Sequence, residues 1–279
     1  MVTRKTWLSD ATARLVQAGC EDAEFDARCL LEDLGGLPRG QMADDTPLTD
    51  SRLAVLDTAL AERAEGRPLQ YILGQWDFLS LTLKVGEGVL IPRPDTELLC
   101  EAAASRLIGK SAPQVLDLCA GTGCVGLGVA SLIPGAVVTE VELSTDVLPY
   151  LTENIRRYPA YDVTLCQGNV LTDYDTFPAA YDAILSNPPY IPTADLAGLQ
   201  REVQREPQMA LDGTADGLAF YRVIAEHWCE TLAPGGFCAV EVGIGQAQDV
   251  AALFSANGLE NTEILQDLAG IDRVVIARK

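Results

Sequence analysis

The stretch from Val115 to Gly126 does most to limit what this chain can fold into. Val115, Leu116 and Leu118 form an apolar run suited to a buried strand, and Gly121, Gly123 and Gly126 follow at G-x-G-x-x-G spacing. Glycines so placed let the backbone turn tightly out of a strand, admit a ligand close to the main chain and open a helix. Further apolar strands are expected at Val137–Leu143, Val163–Cys166, Ala183–Ser186, Phe237–Val242 and Val274–Ala277, alternating with helix-length segments. This alternation predicts an α/β fold over residues 95–279: a doubly wound, mostly parallel sheet with helices on both faces. The same region contains 22 residues without a charge, Leu118 to Thr139, long enough to cross a bilayer. Five glycines and Pro134 interrupt that stretch, and a strand, a glycine loop and a buried helix explain it better. No membrane association is expected.

Residues 1–74 read as a helical bundle domain. Leu8, Ala11, Leu15 and Ala18 recur at helical spacing up to Gly19. A second periodic stretch runs from Ala23 to Leu34 and stops at Gly35-Gly36. A third carries Leu53, Leu56, Leu60 and Ala64 on one face, begins after Thr49 or Asp50 as N-cap, and ends at Gly66 before Pro68. Short loops between such helices imply a small antiparallel bundle. Residues 75–94 change period. Leu81, Leu83 and Val85 alternate with Thr82 and Lys84, and Gly86-Glu87-Gly88 is expected to turn the chain into Val89–Ile91, a β-hairpin linking the two domains. Residues 191–217 are polar and aperiodic, as a loop over a site would be.

The formal net charge of −20 opposes the phosphate backbone, so no nucleic-acid partner is expected. Eight cysteines lie scattered without C-x-x-C spacing, and Met1 to Asp10 lacks the apolar core of a signal peptide. Both point to reduced thiols in a cytoplasmic protein. His227 is the only histidine, which removes any paired-histidine metal site and any histidine triad. No metal is expected.

Glu142 stands about twenty residues after the glycines, at the end of the next strand, where a carboxylate can accept from both hydroxyls of a ribose. An adenosine-containing cofactor follows, either NAD or S-adenosylmethionine (SAM). Asp117 would oppose a pyrophosphate at the helix N-terminus but suit the cationic sulfonium and amino groups of SAM, which is favoured. Ser186-Asn187-Pro188-Pro189-Tyr190 then follows the strand Tyr181–Leu185. Two prolines lock φ and remove two donors, leaving rigidly aimed carbonyls. The Asn187 side chain adds an acceptor and two donors, and Tyr190 a flat face. Together they suit a planar –NH2 group whose hydrogens are taken by Asn187 and the Pro188 carbonyl while its nitrogen faces an electrophile. Positioning supplies most of the rate in such a displacement. An amide and an exocyclic adenine amine both fit this description, and the net charge weighs against DNA. A dehydrogenase would leave Asn187 to Tyr190 unexplained.

Motifs elsewhere narrow the choice. Pro68 to Gly74 reads P-L-Q-Y-I-L-G, Gly88 to Glu97 reads G-V-L-I-P-R-P-D-T-E, and Glu206-Pro207, Asp216-Gly217-Leu218 and Gly270 to Arg273 follow downstream. With these, nearly the whole chain resembles the peptide-chain release factor glutamine N5-methyltransferases, the HemK-type enzymes. The resemblance implies a seven-stranded class I methyltransferase sheet and methyl transfer from SAM to the glutamine of the Gly-Gly-Gln tripeptide in class 1 release factors, by a monomer. By position, Cys119, Ala120, Gly121, Thr122 and Gly123 would line the methionine part of SAM, Glu142 would hold the ribose, and Asn169 and Val170 would contact adenine. Asn187, Pro188, Pro189 and Tyr190 would bind the glutamine, and the helical domain would help dock the release factor. Relatives with the same motif methylate a ribosomal-protein glutamine. Two departures stand out: Asn169 replaces an acid, and Glu142 is one methylene longer than the commoner Asp. Arg93 and Glu97 lie in the family stretch, where Arg93 would pair either with SAM or with a carboxylate of its own chain.

Overall fold

The computed structural model describes residues 1–178 and 180–279. The chain forms two compact units, residues 1–75 with 200–205, and residues 76–199 with 206–279.

The first unit contains α1 (Arg4–Gln17), α2 (Ala23–Asp33), α3 (Asp50–Ala64) and the short α4 (Leu69–Leu73). Thr3 and Thr6 cap α1 reciprocally, and Thr49 caps α3 by accepting from the Arg52 N–H. The buried faces are those the periodicity marks: Ala11 and Leu15 of α1, Leu30 and Leu31 of α2, Leu56 and Leu60 of α3. Arg63 lies at the centre, its Nε donating to Asp26 at 2.6 Å and its NH2 group pairing with Glu202 at 2.6 Å. Arg205 donates to the Glu65 carbonyl at 3.0 Å, and Arg201 donates to the same oxygen. These bonds bring residues 200–205 into the helical unit.

The hairpin comprises β1 (Gln75–Phe78) and β2 (Leu81–Lys84), strands joined by only two residues and therefore antiparallel, and from Trp76 on it belongs to the second unit. Its turn lies at Leu79-Ser80, with Leu79 at φ 50°, and not at Gly86-Glu87-Gly88; Val89–Ile91 is not a strand. Gly86 serves a different need, since a Cβ there would collide with the Tyr150 ring. The hairpin is also no free linker: Phe78, Leu81 and Leu83 are part of the core of the second unit.

The sheet has seven strands in the order β5-β4-β3-β6-β7-β9-β8. These are β3 (Gln114–Leu118), β4 (Val137–Glu142), β5 (Asp162–Gln167), β6 (Tyr181–Ser186), β7 (Leu232–Glu241), β8 (Glu260–Gln266) and β9 (Asp272–Arg278). Strands β5 to β7 of this order pair in parallel, and β9 runs antiparallel to both β7 and β8. Successive residues alternate between two cores. Val115, Ala183 and Phe237 join α5 (Pro94–Leu107) and α6 (Cys124–Leu132) on one face, whereas Leu116, Ile184 and Cys238 join α8 (Ala219–Glu226) and α9 (Ala247–Ala256) on the other. The last helix, α7 (Leu148–Arg157), precedes β5. The uncharged stretch 118–139 is divided among the end of β3, a loop, the buried α6 and the start of β4. Among the described residues no helix is long and apolar enough to cross a membrane.

The chain leaves β3 outward through β4 to β5, then returns to lay β6 on the other side of β3. Reversal of strand order at β3 and β6 opens a crevice at their carboxyl ends, the place where open α/β sheets bind ligands.

Candidate active site

The glycine loop leaves β3 through Cys119, which adopts φ 60°, and passes through Gly121 and Gly123 at φ 57° and 79° into α6. The Ala120 N–H donates to the Val141 carbonyl at 3.0 Å. The Gly121 N–H donates to Glu142 Oε2 at 2.9 Å, and the Ser144 N–H donates to Glu142 Oε1 at 2.7 Å. Glu142 thus fixes the loop from the end of β4. Each of its oxygens keeps a lone pair for a further donor. A left-handed conformation costs a non-glycine residue about 1–2 kcal/mol, against about 0.5–1 kcal/mol for the added chain entropy of glycine. Cys119→Gly is therefore expected to stabilise the protein by about 0.5–1 kcal/mol, read as a higher urea midpoint. A lower midpoint would mean that packing of the thiol outweighs the strain. Burial, with Glu142 nearby, pushes the Cys119 thiol up, so it remains protonated.

A cavity of about 390 Å3 opens at this crevice, within the size range of small-molecule sites. Cys119, Ala120, Gly121, Thr122, Glu142, Asn169, Val170, Asn187 and Pro189 are among the residues that line it, as are Leu90 to Arg93, Thr96, Met209 and Ala210. Ser186 Oγ donates to the Leu118 carbonyl at 2.7 Å, tying the tip of β6 to the tip of β3. The Asn169 side-chain oxygen accepts from the Leu171 N–H at 3.0 Å, and the Val170 carbonyl accepts from Trp228 Nε1 at 2.8 Å.

Four of the expected site residues stand behind this wall: Asp117, Gly123, Pro188 and Tyr190. Asp117 shares the face of β3 with Val115, under α6, because strand side chains alternate. Its Oδ2 accepts from the Gly126 N–H at 2.9 Å, and it lies directly opposite Glu140 in the β3–β4 register. A Cβ at Gly126 would collide with Glu140. Neither Glu140 oxygen nor Asp117 Oδ1 meets an N–H or O–H donor among the described residues. Burial pushes Asp117 up to about 6, while burial and then the Asp117 charge push Glu140 well above the carboxylate range, so the two share a proton at neutral pH. Carboxyls raised in the folded state contribute stability that is full below the unfolded pKa and is lost as pH rises, through about 6 for Asp117 and higher for Glu140. In Glu140→Gln an amide N–H can donate to Asp117. The variant is expected to gain about 1–2 kcal/mol at pH 8 and little at pH 5. Melting temperatures at both pH values decide it, and no gain at pH 8 would contradict the shared proton.

Arg93 pairs with Glu206 of its own chain, and Glu206 Oε2 also accepts from the Ile91 N–H at 3.0 Å. Glu97 accepts from the Leu79 N–H at 2.8 Å. A second polar chain runs behind Asn187. Asn187 Nδ2 donates to Thr96 Oγ1 at 3.1 Å, Thr96 Oγ1 donates to Glu241 Oε2 at 2.5 Å, and the Tyr190 hydroxyl lies 3.4 Å from Glu241 Oε1. The Gln246 amide donates to the Tyr190 carbonyl at 2.9 Å. Burial pushes Glu241 up to about 7 against the Thr96 hydrogen bond and the Arg273 charge. Sequence reading missed the roles of Thr96 and Glu241. The available signal was an acid at the end of the apolar run Phe237 to Val242.

All eight cysteines are free, and no cluster of His, Cys, Asp or Glu among the described residues could hold a metal.

Two family models match the chain: the PrmC N-terminal domain over residues 6–74 and the methyltransferase small domain over residues 94–205. The chain is 43% identical over 267 residues to the release factor glutamine methyltransferase of Geobacter sulfurreducens, covering 95% of this chain and 92% of that one. To the release factor glutamine methyltransferase of Moorella thermoacetica it is 38% identical over 280 residues, covering 99% and 98%. A methyltransferase structure from Pyrococcus furiosus, 16% identical, superposes with a TM-score of 0.53 over 83% of this chain and 99% of that one, a likeness of fold alone.

Proposed function

This chain belongs to the release factor glutamine methyltransferases, and we propose that it methylates the side-chain nitrogen of the Gly-Gly-Gln glutamine in class 1 release factors through the residues on its cavity wall. The observation that carries this reading is the Ser186–Leu118 bond, which holds Asn187 and the glycine loop of β3 on one cavity. Among the described residues the Asn187 side-chain oxygen meets no donor, which leaves it for an incoming amide.

The cavity suits SAM by its size, by a loop without bulky side chains and by a carboxylate with two lone pairs to spare. When bound, SAM supplies an electrophilic methyl group on a sulfonium. Cys119, Ala120, Gly121 and Thr122 border its methionine part, Glu142 accepts from the ribose hydroxyls, and Asn169 and Val170 border adenine. Gly123 acts as the hinge into α6. Asp117 acts below the loop, holding the first turn of α6. Asn187 Oδ1 accepts an amide hydrogen of the glutamine, turning its nitrogen lone pair toward the cofactor. Pro188 and Pro189 keep this segment rigid, and Tyr190 buttresses it from behind. Near-attack alignment lowers the barrier for a nucleophile as weak as an amide.

The enzyme acts as a cytoplasmic monomer that binds no nucleic acid, and its helical unit, residues 1–74, docks the release factor. A net charge of −20, unpaired thiols and a translation factor as substrate support this. The test supplies labelled SAM and a class 1 release factor, wild type or with its Gly-Gly-Gln glutamine changed to alanine. Label in the wild-type factor alone is expected. Label in neither factor, followed by label in a ribosomal protein or in DNA, would replace the substrate.

A further inference from the structure

We propose that Glu241 is a positioning residue that sets the orientation of the Asn187 amide through the Thr96 hydroxyl. The inference rests on the glutamine-methylating reading above and concerns how Asn187 presents its oxygen rather than its nitrogen to the cavity.

A primary amide has two ends of nearly equal size, and only its hydrogen-bond partners decide which way it faces. At Asn187 the inner partner is Thr96 Oγ1, which on its own could either donate or accept. Glu241 removes that freedom. An ionised carboxylate only accepts, so the single Thr96 hydroxyl proton points to Glu241 Oε2 across 2.5 Å. Thr96 Oγ1 then offers Asn187 lone pairs alone, and Asn187 must turn Nδ2 inward, as it does at 3.1 Å. The reversed amide would set oxygen against oxygen. Directionality therefore passes from β7 through α5 to the cavity wall, and Asn187 Oδ1 faces the site as an acceptor of the substrate amide hydrogens. Buried chains of this kind hold a unique arrangement only when each member is satisfied.

The groups around Glu241 are consistent with this role. Thr96 and Asp95 face it from α5, Arg273 from β9 and the Tyr190 hydroxyl from the segment after β6. The Tyr221 hydroxyl of α8 donates to its main-chain carbonyl at 2.8 Å. Arg273 is shared with Asp95 at 3.2 Å and Asp267 at 3.0 Å, so its charge favours the ionised form without a direct bond to Glu241. Buried behind this ring, Glu241 takes up a proton near pH 7. A protonated carboxyl can donate, which releases the Thr96 hydroxyl to donate to Asn187 and lets the amide reverse. Methyl transfer is therefore expected to fall as pH drops through about 7.

The experiment compares wild type, T96V, T96S and E241Q for kcat on the release factor, SAM affinity and the pH profile from 6 to 8.5. T96V keeps the shape of the side chain but loses the hydroxyl, and its kcat should fall about 10–100-fold with SAM affinity unchanged. T96S should recover most of that loss. In E241Q the side chain cannot titrate and, like the protonated carboxyl, can donate to Thr96, so kcat should lie below that of wild type at pH 8 with the acidic fall flattened. T96V with wild-type kcat, or E241Q with the wild-type acidic fall, would overturn the relay while wild-type transfer upholds the parent reading. Wild type that leaves the glutamine unlabelled would overturn both.

Discussion

Asn187→Ala is expected to reduce methyl transfer about 10²–10³-fold while SAM affinity stays within about twofold, a contrast read by single-turnover labelling beside calorimetry. The size follows from what the side chain does. Its oxygen accepts a hydrogen from an amide whose lone pair is otherwise delocalised, so its loss removes both orientation and polarisation of the nucleophile. Among the described residues its side chain bonds to Thr96 alone, and it is half-buried, so little stability is at stake. Near-full turnover in the variant would remove Asn187 from the chemistry.

Glu142→Ala is expected to act on the other half of the site and weaken SAM about 10–100-fold. Two losses combine. The ribose hydroxyls lose their acceptor, and the Gly121 and Ser144 N–H groups lose the carboxylate that fixes them. Glu142→Gln separates the two, since one amide oxygen remains to hold the loop while the second acceptor becomes a donor. It should fall between wild type and the alanine variant. Unchanged affinity in both variants would take Glu142 away from the cofactor.

Much of this architecture was legible because its signals are local. Thr49 caps α3 where a Thr before an apolar periodic run should, and strands buried on both faces announce themselves as unbroken apolar stretches. Strand β8 escaped because it lies at the sheet edge, with glutamates at 260 and 263 and no fully buried residue. The hairpin was misplaced because Gly86 and Gly88 looked like a turn, whereas the tight turn fell on Leu79-Ser80, a dipeptide without a turn signature. The five-residue α4 is too short to show a period. The site failed to read where tertiary partners decide roles. Asp117 sits on the motif but faces Glu140, and the partner of Arg93 lies 113 residues away. Thr96 and Glu241, 145 residues apart, gain their meaning only from contact with each other.

The helical unit is contiguous in space but not along the chain. Arg63 can meet Asp26 as soon as α3 has been synthesised, yet its second carboxylate, Glu202, follows roughly 140 residues later. At about 5–20 residues per second, a ribosome needs on the order of ten seconds to deliver it. During that interval Arg63 has only one of its two carboxylate partners, and the Glu65 carbonyl lacks Arg201 and Arg205. Completion of the helical unit therefore waits on the synthesis of residues 200–205.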